Sequence, residues 1–275
     1  MKRVGYLKEN FHYFHLKDTA GQERDFHFHE FDKIVILLSG HVVYSVEGQT
    51  YALQPWDVLL VKHHCIHKAV IDQREYYQRV ILYLDGRYFD RAMPGAGLMN
   101  SFDQADKQGL YRFAPNDQER EELEAILKHY ESAAGDDRPG SATMQELAVM
   151  SLLVHINRIV SRQDFRTDSP ETGYDPKIRQ VLSFINENFT SALNVETLAE
   201  QVFLSRYHFM RLFKSQTGST VHAYIRQKRL LYAARLIRKG TPVSQAAEEA
   251  GFADYSASHP AFKESFGMAP GQLRK

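Results

Sequence analysis

The last hundred residues contain one helical pattern twice, and the two copies lie 49 positions apart. In the first copy, Phe209 and Phe213 recur with Leu212 at the spacing of one helix face, and Ser205 precedes them as a candidate N-cap. The equivalent inward positions of the second copy are Ser258, Ala261 and Phe262. Gly218 and Gly267 follow the two helices at the same offset. The repetition predicts two structural units of one design.

Each unit begins with a shorter predicted helix. Asn194 caps residues 195–202, and Thr241 with Pro242 precedes residues 243–250. Residues 220–239 read as one long helix that joins the units and ends at Gly240. The outward positions are Tyr207, Met210, Arg211 and Lys214 in the first unit, and Ser256, His259, Pro260 and Lys263 in the second. A polar stripe on a helix after a tight turn is the geometry that enters a DNA major groove, and a plain helical bundle is the alternative.

The charge of the chain is unevenly distributed. Lys plus Arg and Asp plus Glu both total 34. Residues 176–275 nevertheless contain 14 basic and 7 acidic residues, so they carry +7 and the preceding residues carry −7. A basic C-terminal part is expected when only that part meets phosphates. Individual residues such as Arg226, Lys228 and Arg229 could equally solvate a helix face.

Residues 178–275 resemble the DNA-binding domain of the AraC/XylS family of bacterial transcription regulators. The resemblance is carried by LNVETLAEQVFLSRYHFMRLFKSQTGSTVHAYIRQKRLLYAARLI and PVSQAAEEAGFADYSASHPAFKESFGMAPGQLRK. The family signature is present as Gly251, Phe252, Asp254, Ser256, Phe262, Lys263, Phe266, Gly267 and Pro270. The resemblance implies that Tyr207, Met210 and Arg211 meet bases or sugar-phosphate. It places Ser205, Arg206 and Lys214 nearer phosphates, with Ser256, His259 and Lys263 as the contacts of the second unit.

The second outward helix departs from the family pattern at Ser258 and Pro260, where the family usually has an apolar and then a basic residue. If Asp254 caps this helix, Pro260 lies in its interior, at a cost of about 3 kcal/mol. If Ser258 is the cap, Pro260 falls in the first turn without that cost. Either way an Arg is absent, so we expect the first unit to read most bases and the second to anchor.

The first half of the chain has short strand-like runs separated by turn residues. Predicted strands cover residues 33–38, 42–46, 51–53, 58–62 and 77–84, and turns lie at Ser39-Gly40, Glu47-Gly48 and Gln54-Pro55. The segment FHFHEFDKIVILLSGHVVYSVEGQTYALQPWDVLLV resembles the cupin-like ligand-sensing barrel of AraC-type regulators. That family often has Gly where this chain has Trp56. The predicted fold class is α+β in two domains: an N-terminal cupin-like β-barrel with appended helices, and a C-terminal all-α domain with two helix-turn-helix motifs joined by a long helix.

Histidines cluster in this region at His27, His29, His63, His64 and His67. A His-x-His pair on a strand with a third His, here His27, His29 and His67, suits a cupin metal site. The usual carboxylate position is Lys33, however, and a cation there opposes a divalent ion. A pocket for a sugar, hydroxy acid or other polar metabolite is the favoured interpretation, with no metal or other cofactor. Its candidate residues are His27, His29, Lys33, His67, Arg79 and Tyr83.

Two further helices are predicted at 117–134 and 141–162, before a Pro- and Gly-containing linker. The second helix carries an apolar stripe of Met144, Leu147, Met150 and Val154 that would pack on the barrel or pair with a second subunit. We expect a homodimer by resemblance. The expected boundaries are 1–115 for the barrel, 116–163 for the helical dimerisation segment, 164–176 for the linker and 177–275 for the DNA-binding domain, with helix-turn-helix motifs at about 194–215 and 242–266.

Cys65 is the single cysteine, which suits a reducing cytosol, and neither a signal peptide nor a long apolar run is present. The sequence therefore predicts a cytoplasmic bacterial protein, at the nucleoid when bound to DNA, that is not an enzyme. Its expected partners are double-stranded DNA, a small-molecule effector such as a sugar, and RNA polymerase. The predicted function is a ligand-responsive regulator that activates carbohydrate or related metabolic genes. A metal-binding cupin enzyme or metal sensor fused to a DNA-binding domain, and a constitutive DNA binder with an inactive barrel, are the alternatives.

Overall fold

The computed structural model describes residues 7–274 apart from 8, 19–26, 28, 64, 72–75, 163–171, 174, 239, 254 and 267–268. Within these residues the α+β chain divides into two units. The N-terminal unit is strand-rich and extends through its helices toward residue 171. The C-terminal unit is helical, begins at Thr172 and also includes His27, His29 and Glu30.

The N-terminal unit contains two antiparallel sheets. Its strands are β1 (Phe11–Asp18), β2 (Asp32–Ser39), β3 (Val42–Val46), β4 (Gln49–Leu53), β5 (Val58–Val61), β6 (His67–Ile71), β7 (Tyr77–Leu84) and β8 (Arg112–Phe113). The first sheet has the order β1-β7-β2-β5-β8, and the second has the order β6-β3-β4 within this unit. The predicted strands 42–46 and 77–84 have the observed bounds, whereas β1 and β6 were not predicted.

The expected closed barrel is wrong for the described residues, whose strands form two separate sheets. Closure needs an unbroken ladder of backbone hydrogen bonds around the whole circuit. Here β1 is one edge of the first sheet, and the two-residue β8 is the other. β8 pairs only with Val58 and Leu59, too short a contact to lead into another sheet. The two sheets enclose one apolar core, as in a sandwich.

Trp56, which stands where the family often has glycine, has a backbone conformation that suits glycine. It has φ +73°, a conformation that glycine adopts freely and bulky residues rarely adopt. The Trp56 N–H donates to Leu37 O at 2.5 Å, which holds the turn before β5 against β2. The half-buried ring packs against the core and lies 5.1 Å from the Arg120 guanidinium. These contacts offset the backbone strain.

Four helices complete the N-terminal unit: α1 (Gly86–Ala92), α2 (Asn100–Gln108), α3 (Asp117–Ala134) and α4 (Ser141–Arg162). The two longer ones have the bounds that periodicity predicted. A capping box starts α3, in which the Asn116 side chain accepts from Glu119 N and the Glu119 carboxylate accepts from Asn116 N. α4 packs along α3 and against α2, and Leu152, Leu153 and Ile156 join the core. None of the described helices is both long and apolar enough to cross a membrane.

The C-terminal unit begins with the two-residue strand β9 (Thr172–Gly173) and continues as helices. These are α5 (Pro176–Asn188), α6 (Val195–Gln201), α7 (Arg206–Thr217), α8 (Val221–Arg238), α9 (Val243–Glu249), α10 (Tyr255–Phe266) and a final 3-10 helix (Pro270–Arg274). Side-chain oxygens of Asp175, Asn194 and Ser205 accept from backbone N–H groups at the starts of α5, α6 and α7. The linker expected at 164–176 lies partly outside the described residues; its last residue, Pro176, begins α5, and Asp175 is the cap of that helix.

Helix α8 is the central element of this unit, since it contacts α7, α9, α10 and the 3-10 helix. Its first half packs Tyr224 edge-on against Phe213 of α7, with ring centroids 5.7 Å apart. Its second half joins Ala246 of α9 and Phe262 of α10 in a separate apolar cluster. α7 therefore packs against the first half of one 18-residue helix, and α9 and α10 pack against its second half. At 1.5 Å per residue, this helix is about 27 Å long.

Pro260 lies in the interior of α10, which begins at Tyr255. The alternative in which Ser258 caps a later helix is therefore wrong. Asp254, the other candidate cap, lies outside the described residues. Gly251 sits in the turn before α10 with φ +86°, where a Cβ would collide with the carbonyl oxygen of Thr190. This close backbone approach explains why the signature requires glycine there.

Candidate functional site

Helix α7 exposes a polar and aromatic stripe on top of a buried aromatic anchor. Phe209 and Phe213 are fully buried, with ring centroids 5.8 Å apart. On the opposite side Tyr207 is 77% exposed, and Arg211 and Lys214 are also exposed. Because α7 is anchored by two rings, the stripe has a fixed orientation relative to α6 and α8. Met210, the remaining predicted outward residue of α7, is half-buried.

Ser205 and Arg206 have structural contacts of their own at the start of α7. Ser205 Oγ accepts from His208 N at 3.4 Å, as an N-cap does. The Arg206 guanidinium forms a 2.7 Å ion pair with Glu196 on α6. An anion that approached Arg206 would therefore compete with Glu196. Arg211 and Lys214 lie on the exposed face beyond this pair.

Sequence reasoning left the role of Arg229 open between solvation and phosphate contact. The structure instead gives it two backbone partners, because Nε donates to Phe189 O and one terminal nitrogen donates to Ser191 O, both at 2.7 Å. Arg229 thus closes the C-terminal end of α5. Burial lowers the pKa of its guanidinium. Arg226, one turn earlier, is exposed.

Helix α10 repeats the arrangement of α7 with fewer cations. Ala261 and Phe262 are buried, while Pro260 and Lys263 are exposed. Ser256 and His259 lie in the same helix, and only their backbone is described. Gly267, the counterpart of Gly218, lies outside the described residues. The outward side of α10 therefore presents Lys263 where α7 presents both Arg211 and Lys214.

Four of the predicted ligand residues lie in the space between the two sheets. Lys33 pairs with Tyr83 across β2 and β7, and Arg79 lies on the same face of β7. The Lys33 ammonium is 5.5 Å from the ring centroid of Tyr44 on β3, so this face is turned toward the second sheet. His67, on β6, shares the face of Tyr44. Lys33, His67 and Arg79 are 4%, 0% and 8% exposed.

The described contacts of these residues are aromatic rings and backbone groups. Arg79 lies 4.2 Å from the Tyr77 ring and donates to Tyr77 O at 3.3 Å. His67 Nδ1 lies 3.0 Å from Cys65 O, so it donates to that carbonyl oxygen. These contacts hold basic groups inside a largely apolar sandwich.

His27 and His29 differ from the expected strand pair. His29 lies outside the strands, and β2 begins only at Asp32. Their ring centroids are 6.5 Å apart, and both belong to the C-terminal unit. Among the described residues no three His, Cys, Asp or Glu side chains are grouped closely enough to hold a metal ion. His63 pairs instead with the buried Asp32 at 2.8 Å, and His64 lies outside the described residues.

A groove of about 300 Å³ runs along the outer side of α3 and α4. Its lining includes Ile126, His129, Met144 and Leu147. Met144, Leu147 and Val154 are exposed apolar residues of α4, whereas Met150 of the same predicted stripe is half-buried and packs against the core. α4 therefore uses one side for the core and presents part of its apolar stripe outward.

Phe203 was missed by the sequence reasoning. It lies in the turn between α6 and α7 with φ +54°, and its side chain is 92% exposed. Its only sequence signal is an aromatic residue at a turn position that would suit glycine or asparagine. Tyr44, which faces Lys33, was also missed because its buried strand position gave no distinguishing signal.

Two family models match successive parts of the chain. The model for an AraC-like ligand binding domain matches residues 12–153, and the model for a helix-turn-helix domain matches residues 198–275. Among curated proteins, the chain is 24% identical over 251 residues to the HTH-type transcriptional activator RhaS of Escherichia coli K12. That alignment covers 90% of this chain and 87% of RhaS.

The chain is also similar to proteins of solved structure. The DNA-binding domain of AdpA, described as a global transcriptional factor in complex with a target DNA, is 30% identical, with a TM-score of 0.35. The match covers 36% of this chain and 91% of that one. ToxT from Vibrio cholerae is 14% identical with a TM-score of 0.37, and the match covers 97% of this chain and 98% of ToxT. Because the ligand-binding model alone matches more than half of the residues and the helix-turn-helix model follows it, this chain belongs to the AraC/XylS family of transcription regulators.

Proposed function

We propose that this chain is a ligand-responsive, sequence-specific DNA-binding protein that activates carbohydrate or related metabolic genes. The observation that carries the proposal is the exposed stripe of α7, fixed in place by Phe209 and Phe213. In this proposal α6–α7 and α9–α10 are two helix-turn-helix motifs, and α7 and α10 enter successive major-groove segments. The activating role rests on the likeness to RhaS.

The two recognition helices contribute unequally in this proposal. Tyr207, Met210 and Arg211 meet bases or sugar-phosphate, while Ser205, Arg206 and Lys214 lie nearer phosphates. On α10, Ser256, His259 and Lys263 make the contacts. Since the position equivalent to Arg211 is Pro260, α10 lacks the guanidinium that pairs bidentately with guanine. We therefore assign most base reading to α7 and anchoring to α10.

The test of DNA binding is selection of duplexes from a random pool by the full-length protein. A specific regulator enriches one motif and binds it at least about 10³-fold more tightly than unrelated DNA at physiological salt. Arg211→Ala should remove most of that preference. Arg226→Ala is the matched control, because this exposed cation on α8 has no assigned base contact. Enrichment of no motif would overturn the proposal.

The proposed effector site lies between the two sheets. Lys33, His67, Arg79 and Tyr83 supply hydrogen-bond donors and an aromatic face inside an apolar enclosure, which suits a sugar, sugar acid or hydroxy acid. No metal is invoked, because Lys33 occupies the position where cupin metal sites usually have a carboxylate.

A thermal-shift screen tests this site. A compound at about 100 times its Kd stabilises a protein by about 2.7 kcal/mol, which raises the unfolding temperature by several degrees. We expect one class of sugar or hydroxy acid to do so in the presence of EDTA, and Lys33→Met to abolish the shift. Loss of stability on chelation would instead support a metal site, and it would contradict this assignment.

The remaining assignments concern domains and partners. Residues 1–115 bind the effector, residues 116–163 pair two copies of the chain, residues 164–176 connect the two domains, and residues 177–275 bind DNA. The protein is cytoplasmic and also contacts RNA polymerase.

The dimer proposal is supported by the exposed Met144, Leu147 and Val154 along α4. Leu147→Glu should convert a dimer to a monomer in sedimentation analysis. An unchanged mass would contradict this interface.

A further inference from the structure

Three non-glycine residues in the described part of the chain have positive φ angles: Glu47, Trp56 and Phe203. At the first two positions the side chain contributes to the fold. The Glu47 carboxylate accepts from Ile66 N at 2.7 Å, and the Trp56 ring packs on the core beside Arg120. At Phe203 the side chain is 92% exposed, so the fold gains little from its ring.

The turn requires the backbone conformation of Phe203 but does not require phenylalanine. Phe203 N donates to Glu200 O, and Leu204 N donates to Ala199 O, both at 3.0 Å. These bonds end α6 and turn the chain toward α7. Glycine would adopt the same φ of +54° without strain, and asparagine would do so more readily than phenylalanine. A non-glycine residue that is held at a positive φ, and whose ring the fold does not use, points to a role outside the fold.

Phe203 lies directly before α7, the helix that the proposed function places on DNA. It lies two residues before Ser205, the cap of α7, and the next exposed aromatic residue is Tyr207, 77% exposed on the first turn. Arg211 and Lys214 continue the exposed surface along α7. Cations suit phosphates and guanine, whereas an apolar ring suits thymine methyl groups and deoxyribose. The turn thus carries an exposed apolar ring, and α7, which follows it directly, carries exposed cations.

We propose that Phe203 is a DNA-contacting residue whose ring packs against nonpolar groups of the duplex, either thymine methyls or deoxyribose, next to the segment met by α7. This inference rests on the proposed DNA-binding function. It adds an apolar contact from the turn to the contacts assigned to the helix.

The experiment compares Phe203→Gly, Phe203→Asn and Phe203→Tyr in the full-length chain, using the duplex selected by the wild type. Phe203→Gly and Phe203→Asn should bind about tenfold more weakly, and Phe203→Tyr should bind nearly as the wild type does. Phe203→Gly should unfold at an unchanged or higher temperature, because glycine relieves the strain. The salt dependence of binding should stay unchanged, since no phosphate contact is lost.

Replacing each thymine of the duplex by deoxyuridine distinguishes the two nonpolar groups. A thymine whose methyl matters to the wild type and not to Phe203→Gly identifies the methyl contact. Weaker binding of Phe203→Gly without any such thymine identifies deoxyribose.

Wild-type affinity for Phe203→Gly would overturn the inference. Normal binding with lost promoter activation would do so as well, by assigning the ring to a protein partner. Failure of the wild type to select any motif would instead overturn the proposed function, and this inference with it.

Discussion

Arg162, the last residue of α4, donates to both carboxylate oxygens of Glu119 at 2.7 Å. The same carboxylate accepts from Asn116 N at 2.8 Å and so completes the cap of α3. One side chain therefore closes a helix end and joins two helices. Burial alone would raise the pKa of Glu119, but the hydrogen bonds from Arg162 and Asn116 outweigh it and lower the pKa below the ordinary 4.5.

Glu119→Gln should destabilise the N-terminal unit in a pH-dependent manner. Because the folded-state pKa is depressed, the contribution of Glu119 is present above about pH 4.5 and is lost as the pH falls through the lower folded value. We expect a lower unfolding temperature at neutral pH, corresponding to about 1 kcal/mol, and a shrinking difference in acid. Lys128→Ala, which breaks the exposed pair with Glu124, is the control and should change little. A pH-independent difference would contradict the assignment.

Arg229→Met should destabilise the C-terminal unit, since it leaves Phe189 O and Ser191 O without their charged donor. Two such hydrogen bonds at a half-buried site correspond to roughly 2 kcal/mol. Thermal unfolding measures the loss, and Arg226→Met on the exposed side of α8 should leave the transition in place. Equal effects of the two substitutions would show that Arg229 has no special structural role.

Pro260→Ala should stabilise α10. The substitution restores a backbone N–H that can donate to the carbonyl of the residue four positions earlier and removes the ring clash. The more flexible unfolded chain offsets part of this gain, so we expect roughly 2 kcal/mol and a higher unfolding temperature. Pro242→Ala, at the N-cap position of α9, should give no comparable increase. A decrease for Pro260→Ala would mean that proline shapes α10 favourably.

Arg211→Ala should weaken binding of the selected duplex far more than His259→Ala. Loss of a guanidinium that reads bases corresponds to about 1–3 kcal/mol, or roughly five- to 150-fold in affinity. Titrations of both variants at one salt concentration make the comparison. Equal losses would contradict the unequal division between α7 and α10.

The sequence predicted those elements whose own residues carry a strong periodic or capping signal. α3 and α4 have their predicted bounds because long amphipathic stretches lie between capping and turn residues. The buried anchors Phe209 and Phe213 were likewise evident from their spacing. β1 was missed because it is an edge strand of half-exposed aromatic and His residues, without regular alternation. α2 was missed because Met99 provides no side-chain cap.

The features that the sequence did not predict depend on contacts between residues that are far apart in the chain. Whether the strands close into a barrel or form two open sheets depends on pairing between strands that are far apart in the chain. The position of Lys33, opposite Tyr83 and facing Tyr44, depends on the same pairing. Arg229 carried no local sign that its targets were Phe189 and Ser191. The sequence allowed α10 to start after Asp254 or after Ser258, and only the structure shows that Pro260 lies in the helix interior.

Helix α8 has a consequence for the DNA itself. α8 is about 27 Å long and packs against α7 and against α9 and α10. It cannot lengthen if the two DNA segments that α7 and α10 contact are moved farther apart. A duplex with an inserted base pair would have to bend or change its twist to meet both helices, and the energy required depends on which steps it contains. Under the proposed function, the base pairs between the two segments therefore contribute to recognition through their flexibility, although neither α7 nor α10 touches them.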